Sequence, residues 1–418
     1  MAKLIIKKSP PLKGTVKISG SKNSVLPILT ASLLGQGKSK ILDVPDLKDV
    51  VIMQDLLQHL GASIKWDKVK KEIEIETDNI KEYEAPYELV SKMRASFLVM
   101  GPLLARIKKA KIPLPGGCAI GSRPVDLHLK GFSALGAEII QENGYVEAYA
   151  DKLVGNKIYL DFPSVGATEN IMMAAVYAEG TTIIENAAVE PEIVDLANYL
   201  NAMGADIRGA GTDSIKINGV KNLTGTSHCV IPDRIEAGTF MVAGAITRGD
   251  ILIENVVSDH LKPIIAKLKE CRVEVIETDK GIRVCGKDSI KSVDIKTLPY
   301  PGFPTDMQAP FMSLLSMAEG TSVVIETVFE NRFMHVGELK RMGAKIKIEG
   351  RSAIIDGVNK LTGTQVRATD LRAGASLILS ALVADKTTEI SDIYHIERGY
   401  SELEKKLAAL GANIEKVK

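Results

Sequence analysis

Apolar positions along the chain recur in one order. A helix apolar on nearly every side comes first, then a glycine or short turn, then a strand. Residues 26–34 followed by 39–44, 171–178 by 181–184, 240–246 by 250–254, 310–318 by 321–326 and 377–384 by 387–390 all read this way. The run Ile171-Met172-Met173-Ala174-Ala175-Val176 leaves no polar face, which assigns such helices to an interior. A second helix in each unit, as at 50–60 or 400–410, is amphipathic and predicted to face solvent. It ends on a fixed signature: Leu60-Gly61-Ala62, Leu135-Gly136-Ala137, Met203-Gly204-Ala205, Met342-Gly343-Ala344 and Leu410-Gly411-Ala412. The glycine supplies the left-handed residue that closes a helix. In the segment Lys269-Glu270-Cys271-Arg272-Val273, Arg272 occupies the glycine's slot.

The intervals between these slots are 75, 68, 68, 71 and 68 residues, from Gly61 through Gly136, Gly204, Arg272 and Gly343 to Gly411. Regular spacing of this kind marks an internal repeat, here six units of roughly 70 residues. A continuous solenoid and two closed three-unit domains both fit six units. A polar turn, Leu223-Thr224-Gly225-Thr226-Ser227-His228, and then Val230-Ile231-Pro232-Asp233 favour a boundary after the third unit. The strand-like residues 12–19 have no partner in their own unit and are expected to complete the other domain. The predicted lobes are therefore residues 1–20 plus 231–418, and residues 21–230.

Composition narrows the chemistry. The 418 residues are 45% hydrophobic and 25% charged with a net charge of +1, so no global field attracts nucleic acid or a membrane surface. No apolar stretch approaches a membrane span and no leader is evident, which gives the cytoplasm as the expectation. Cys118, Cys229, Cys271 and Cys285 form no CxxC pair and lie at no metal-ligand spacing from histidine. All but Cys118 are expected to fill cores. Ser32 to Ser39 nearly matches a phosphate loop, but it begins on serine and runs helix, turn, strand instead of strand, loop, helix.

Cys118 lies in Pro113-Leu114-Pro115-Gly116-Gly117-Cys118-Ala119-Ile120-Gly121-Ser122-Arg123-Pro124. Glycine and proline at this density mark a loop with special backbone angles, and Arg123 stands close enough in sequence to lower the thiol's pKa. The 75-residue interval that contains it makes the loop an insertion. Only 14 of 53 basic residues are arginine, and Arg94, Arg332, Arg372 and Arg398 fall where periodicity does not explain them. Lys22, Arg94, Asp306 and Arg372 stand at or near the starts of apolar helices, whose unpaired N–H groups and dipoles already favour anions. Asp306 in Thr305-Asp306-Met307 reads either as a helix cap or as a base among cations. Asp370 in Thr369-Asp370-Leu371 repeats Asp233 in Pro232-Asp233-Arg234.

Taken together, Ser19-Gly20-Ser21-Lys22-Asn23, Leu114-Pro115-Gly116-Gly117-Cys118, Arg123-Pro124-Val125-Asp126-Leu127-His128, Ser164-Val165-Gly166-Ala167-Thr168, Glu190-Pro191-Glu192 and Phe303-Pro304-Thr305-Asp306 resemble the enolpyruvyl transferases. The resemblance runs from about residue 3 to the C-terminus. It implies a two-domain inside-out α/β barrel, three repeats per domain, with no cofactor or metal. It implies that the enolpyruvyl group of phosphoenolpyruvate moves to the 3′-hydroxyl of UDP-N-acetylglucosamine through a tetrahedral ketal, releasing phosphate for peptidoglycan synthesis. Carried over, Cys118 is the proton donor, the site of a covalent adduct and the target of fosfomycin, and Asp306 is the base. Lys22, Arg123 and Arg398 surround the phosphate, and Arg94, Arg332 and Arg372 surround phosphoenolpyruvate and the intermediate. Asn23 and Asp370 join the substrate contacts, and Arg123, Pro124, Val125, Asp126, Leu127, Ser164, Val165 and Val328 contact the nucleotide sugar. Within Asp161-Phe162-Pro163 some members carry a lysine, which leaves one diphosphate contact near Phe162 open. The sister transferase that uses shikimate 3-phosphate and a non-catalytic nucleotide-sugar sensor are the rival readings; the first lacks the Pro-Gly-Gly-Cys loop, and the second would lose Cys118 or Asp306.

Overall fold

A computed structural model describes residues 2–114, 121, 125–286 and 289–417. The chain divides into two compact units. One is continuous, residues 20–114 and 125–231; the other is discontinuous, residues 2–19 and 232–417 together with Gly121. Each has its own apolar core.

Each repeat builds one small sheet on the same plan. A short strand lies parallel to the strand that follows the apolar helix, and an antiparallel pair completes the sheet, a hairpin in every repeat but the last. In the first repeat Ser227–Cys229 runs parallel to Lys38–Leu42, which pairs with Glu72–Glu76 and through it with Ser63–Asp67. In the second, the parallel strand shrinks to one bridge between Glu84 and Lys111. The discontinuous unit borrows its missing strands from the start of the chain. Lys13–Lys17 runs parallel to Asp250–Glu254. Lys3–Ile6 lies between Thr388–Ser391 and Ile414–Val417, with Leu4 opposite Ile390 and Lys3 opposite Val417.

The all-apolar helices form the inside of each unit. Every residue from Ile235 to Ile246 is buried in the helix Arg234–Ile246, and Arg372 to Leu382 are buried in Leu371–Val383. These two pack with Gln308–Leu315. In the continuous unit Met100–Ile107 packs on Val165–Ala175 so closely that a Cβ on Gly101 would meet the Asn170 carbonyl oxygen at 2.4 Å. At roughly 1.5–3 kcal/mol for each large apolar side chain removed from water, burial is the main force that holds such helices. The outer helices bury one stripe, as Val50, Ile52, Met53, Leu56 and Leu57 do in Lys48–His59.

The apolar helices begin four to six residues before most of their apolar runs, at Lys22, Val165, Arg234 and Leu371. Their first turns mix charged and small residues with apolar ones, so apolar periodicity starts late. The helix expected over 400–410 is Leu403–Ala409, because Glu402 turns left-handed with φ +52° and breaks it from the short helix Tyr394–Glu397. Cys271 is buried as expected, but Cys229 is exposed and Cys285 only half-buried. Cys229 belongs to an edge strand, where alternate side chains face water.

Candidate active site

The polar groups gather at the starts of the inner helices. In the discontinuous unit three such starts carry Asp233, Asp306 and Asp370, and they do not behave alike. Asp233 caps Arg234–Ile246, its Oδ1 accepting from the amides of Ile235 at 2.8 Å and Glu236 at 2.9 Å. Asp370 caps Leu371–Val383 in the same way, accepting from the Arg372 amide at 2.8 Å and the Ala373 amide at 3.1 Å. Asp306 makes no cap. It sits inside the 3-10 turn Thr305–Met307, and its carboxylate is gripped by two guanidiniums.

Arg332 Nη2 donates to Asp306 Oδ1 at 2.7 Å. Arg372 donates to Oδ2 from Nη2 at 2.9 Å and from Nε at 3.2 Å. Both arginines are buried, whereas the Asp306 side chain keeps 26% of its surface in solvent. Burial pushes the Asp306 pKa up, but the Arg372 and Arg332 charges outweigh it and hold the carboxyl well below the usual carboxylate range. Arg372 also lies over the Tyr400 ring, 5.1 Å from its centroid, and its Nη1 is buried with no acceptor. A buried donor without a partner is uncommon in folded proteins.

Two groups beside this clamp, Thr305 and Glu326, were not singled out by the sequence. The Thr305 hydroxyl accepts from Arg332 Nη1 at 2.9 Å and donates to Glu326 Oε2 at 2.8 Å. His335 is buried, and burial is the main reason its pKa falls to about 4; Asp370 opposes the shift and Arg332 adds to it. Val328 follows Glu326 on the turn that leads to Arg332 and donates its amide to Glu326 Oε1 at 2.8 Å. Arg398 ends the helix Tyr394–Glu397 and is half-buried.

The continuous unit holds the remaining described candidates. Lys22 is the first residue of Lys22–Ala31, and its ammonium meets the buried Asp49 carboxylate at 2.8 Å. Asn23, next in the helix, is exposed. Arg94 opens the 3-10 helix Arg94–Val99 that runs into Met100–Ile107. Its charge, after burial of the ring, pushes the His128 pKa down to about 3. Asn170 fixes the imidazole: its Oδ1 accepts from the Gly101 amide at 2.8 Å, so its Nδ2 donates to the Phe97 carbonyl and faces His128 Nδ1 at 3.1 Å. His128 Nδ1 is therefore an acceptor and the proton resides on Nε2. Ser164 caps Val165–Ala175 by accepting from the Ala167 amide at 3.3 Å, which leaves Val165 as the first helical residue. Val125 caps Asp126–Ala134, where Asp126 is exposed and Leu127 half-buried.

Cys118, Arg123 and Pro124 lie outside the described residues. Within that stretch Gly121 is described, with φ +148°, and a Cβ there would come 2.7 Å from a Glu330 carboxylate oxygen. Only glycine fits. Among the described residues no group of histidine, cysteine and carboxylate side chains is arranged to hold a metal ion. No helix among them is long and apolar enough to cross a membrane.

The EPSP synthase (3-phosphoshikimate 1-carboxyvinyltransferase) family matches residues 6–407. Among curated relatives, UDP-N-acetylglucosamine 1-carboxyvinyltransferase 1 of Caldanaerobacter subterraneus subsp. tengcongensis is 66% identical over 412 residues, covering 99% of each chain. UDP-N-acetylglucosamine 1-carboxyvinyltransferase 2 of Carboxydothermus hydrogenoformans is 60% identical over 100% of both. The crystal structure of the enolpyruvyl transferase NikO from Streptomyces tendae superimposes with a TM-score of 0.90 at 25% identity, covering 100% of this chain and 99% of that one. EPSP synthase from Acinetobacter baumannii, at 20% identity and a TM-score of 0.76 over 100% of both chains, shares the fold. Inner helices with sheets outside them make the inside-out α/β barrel of these proteins. The chain belongs to the EPSP synthase family of enolpyruvyl transferases.

Proposed function

We propose that the chain transfers the enolpyruvyl group of phosphoenolpyruvate to the 3′-hydroxyl of UDP-N-acetylglucosamine, with release of phosphate, as a cytoplasmic step of peptidoglycan synthesis. The observation that carries this reading is identity of 66% with a transferase of that name across 99% of both chains. In the addition half, Asp306 takes the hydroxyl proton as the sugar oxygen bonds to C2 of phosphoenolpyruvate, and Cys118 gives a proton to C3. In the elimination half, C3 loses a proton, the C2–O bond to phosphate breaks, and the enol ether remains on the sugar. Lys22, Arg123 and Arg398 hold the phosphate; Arg94, Arg332 and Arg372 hold the carboxylate and the ketal.

The clamp on Asp306 makes it a weak base at rest. An arriving anion competes for the same guanidiniums, beginning at Arg372 Nη1, and loosening them raises the basicity of Asp306 when substrate is in place. Phosphoenolpyruvate and a diphosphate carry charges that are prohibitive to bury unpaired, which is why a nearly neutral chain concentrates cations at its helix starts.

The test is phosphate release measured with each substrate alone and with both. Release is expected with phosphoenolpyruvate and UDP-N-acetylglucosamine together; release with shikimate 3-phosphate in place of the nucleotide sugar would overturn the reading. Asp306→Asn is expected to bind both ligands and to lose turnover by at least about a hundredfold.

A further inference from the structure

The residue that follows the central strand is left-handed in four of the repeats. Asp43, Asn186, Asn255 and Asp392 occupy it with φ of 56°, 53°, 57° and 55°. Asn186 and Asn255 each donate their side-chain amide to the carbonyl just past the parallel strand, Leu160 at 2.7 Å and Ile18 at 2.8 Å. In the fifth repeat the position belongs to Glu326, which is absent from the left-handed residues and 1% exposed. The polarity is inverted there. Thr297, just past its parallel strand, donates its hydroxyl to Glu326 Oε1 at 2.8 Å. The same oxygen accepts from the amides of Val328 at 2.8 Å and Phe329 at 3.1 Å. The other oxygen accepts from Thr305. No cation pairs with Glu326 among the described residues. Burying a carboxylate against neutral donors alone is costly, and the strand end does not require it, since Asn186 and Asn255 close the same position with a neutral amide.

We propose that Glu326 is a positioning residue for the transfer: through the Thr305 hydroxyl it aims Arg332 at Asp306, and through two amides it fixes the turn carrying Val328. A hydroxyl has one proton. Because Thr305 gives it to Glu326, its lone pair faces Arg332 Nη1, which leaves Nη2 directed at Asp306. In E326Q the amide oxygen stays with its three donors, so the amide nitrogen faces Thr305 and the hydroxyl must turn round. The Thr305 proton, no longer anchored on residue 326, then ceases to hold a lone pair toward Arg332.

This inference rests on the proposed transfer reaction, so the wild-type enzyme is assayed first. If it releases no phosphate from the two substrates together, the functional reading fails and takes this one with it. With an active wild type, E326Q and T305V are each expected to lower kcat by about 10- to 100-fold with both KM values within about threefold. T305S is expected to stay within about threefold of wild type, and the double variant E326Q/T305V to be no slower than the slower single one. Because T305V removes only a hydroxyl from an otherwise isosteric side chain, it stands as the test should E326Q not fold. Turnover by T305V within twofold of wild type, or a double variant as slow as the product of the two, overturns the proposal.

Discussion

Arg272 shows what a single residue can reveal when a chain repeats itself. It occupies the slot that holds glycine at 61, 136, 204, 343 and 411, and its backbone takes the same left-handed turn, with φ +66° against +93° to +112° for the glycines. The fold therefore imposes the conformation whatever the side chain. A non-glycine residue there is strained by about 1–2 kcal/mol, partly offset by the greater freedom glycine loses on folding. Arg272→Gly is expected to stabilise the discontinuous unit by about 0.5–1 kcal/mol, read as a rise of a degree or two in the unfolding midpoint. At the same scale the sequence singled out Lys22, Arg94, Asp306 and Arg372 by their position in the repeat. It left Asp306 open between cap and base, because a side chain's partners across 26 and 66 residues leave no trace in local spacing. Thr305 and Glu326 escaped notice for a related reason: each looks like an ordinary polar residue at an element's edge.

At the scale of the element, the starts of the inner helices are variations on one design. Pro232-Asp233-Arg234, Thr305-Asp306-Met307 and Thr369-Asp370-Leu371 are indistinguishable as sequence patterns. The first and third place aspartate at the cap; the second inserts a 3-10 turn, shifts the carboxylate off the cap and releases it for the arginines. Asparagine caps as well as aspartate, and alanine does not. Asp370→Ala is accordingly expected to destabilise by about 1 kcal/mol in urea unfolding, whereas Asp370→Asn should cost no more than a few tenths. A larger loss of turnover than of stability in Asp370→Asn would report the charge, not the cap. Apolar periodicity made the interiors of these helices legible, as the glycine signature did the ends of the outer ones. Their first turns were not, since capping and ion-pairing residues carry no 3.6-residue signal.

For the molecule as a whole, each unit encloses one histidine that burial keeps neutral, His128 in one and His335 in the other. Unfolded, both protonate near pH 6.5; folded, they resist until about 3 and about 4. The unfolded chain thus takes up protons first, and stability falls as pH drops from about 6.5 toward 4, by at most about 1.4 kcal/mol per pH unit for each histidine. Urea midpoints measured from pH 7 to pH 4.5 should decline on that slope, and His335→Gln should flatten it. Repeat count and spacing were plain in the sequence, as was the unpartnered strand near residue 13. Lys3–Ile6 was not, because its partners stand at the opposite end of the chain.

That pairing governs how the chain can be made. On a ribosome residues 3–17 emerge well before their partner strands at 250–254, 388–391 and 414–417. The continuous unit takes all its strands from residues up to 229 and can close while this leading segment is still unpaired. For most of translation the segment is a bare pair of strands, the kind of edge that recruits other chains. Its composition answers that hazard: Lys3, Lys7, Lys8, Lys13 and Lys17 place charge along it, and Pro10-Pro11 breaks it in two. Lysine and proline are the residues that keep open strand edges from aggregating, so the leader that is needed last is also the stretch best equipped to wait.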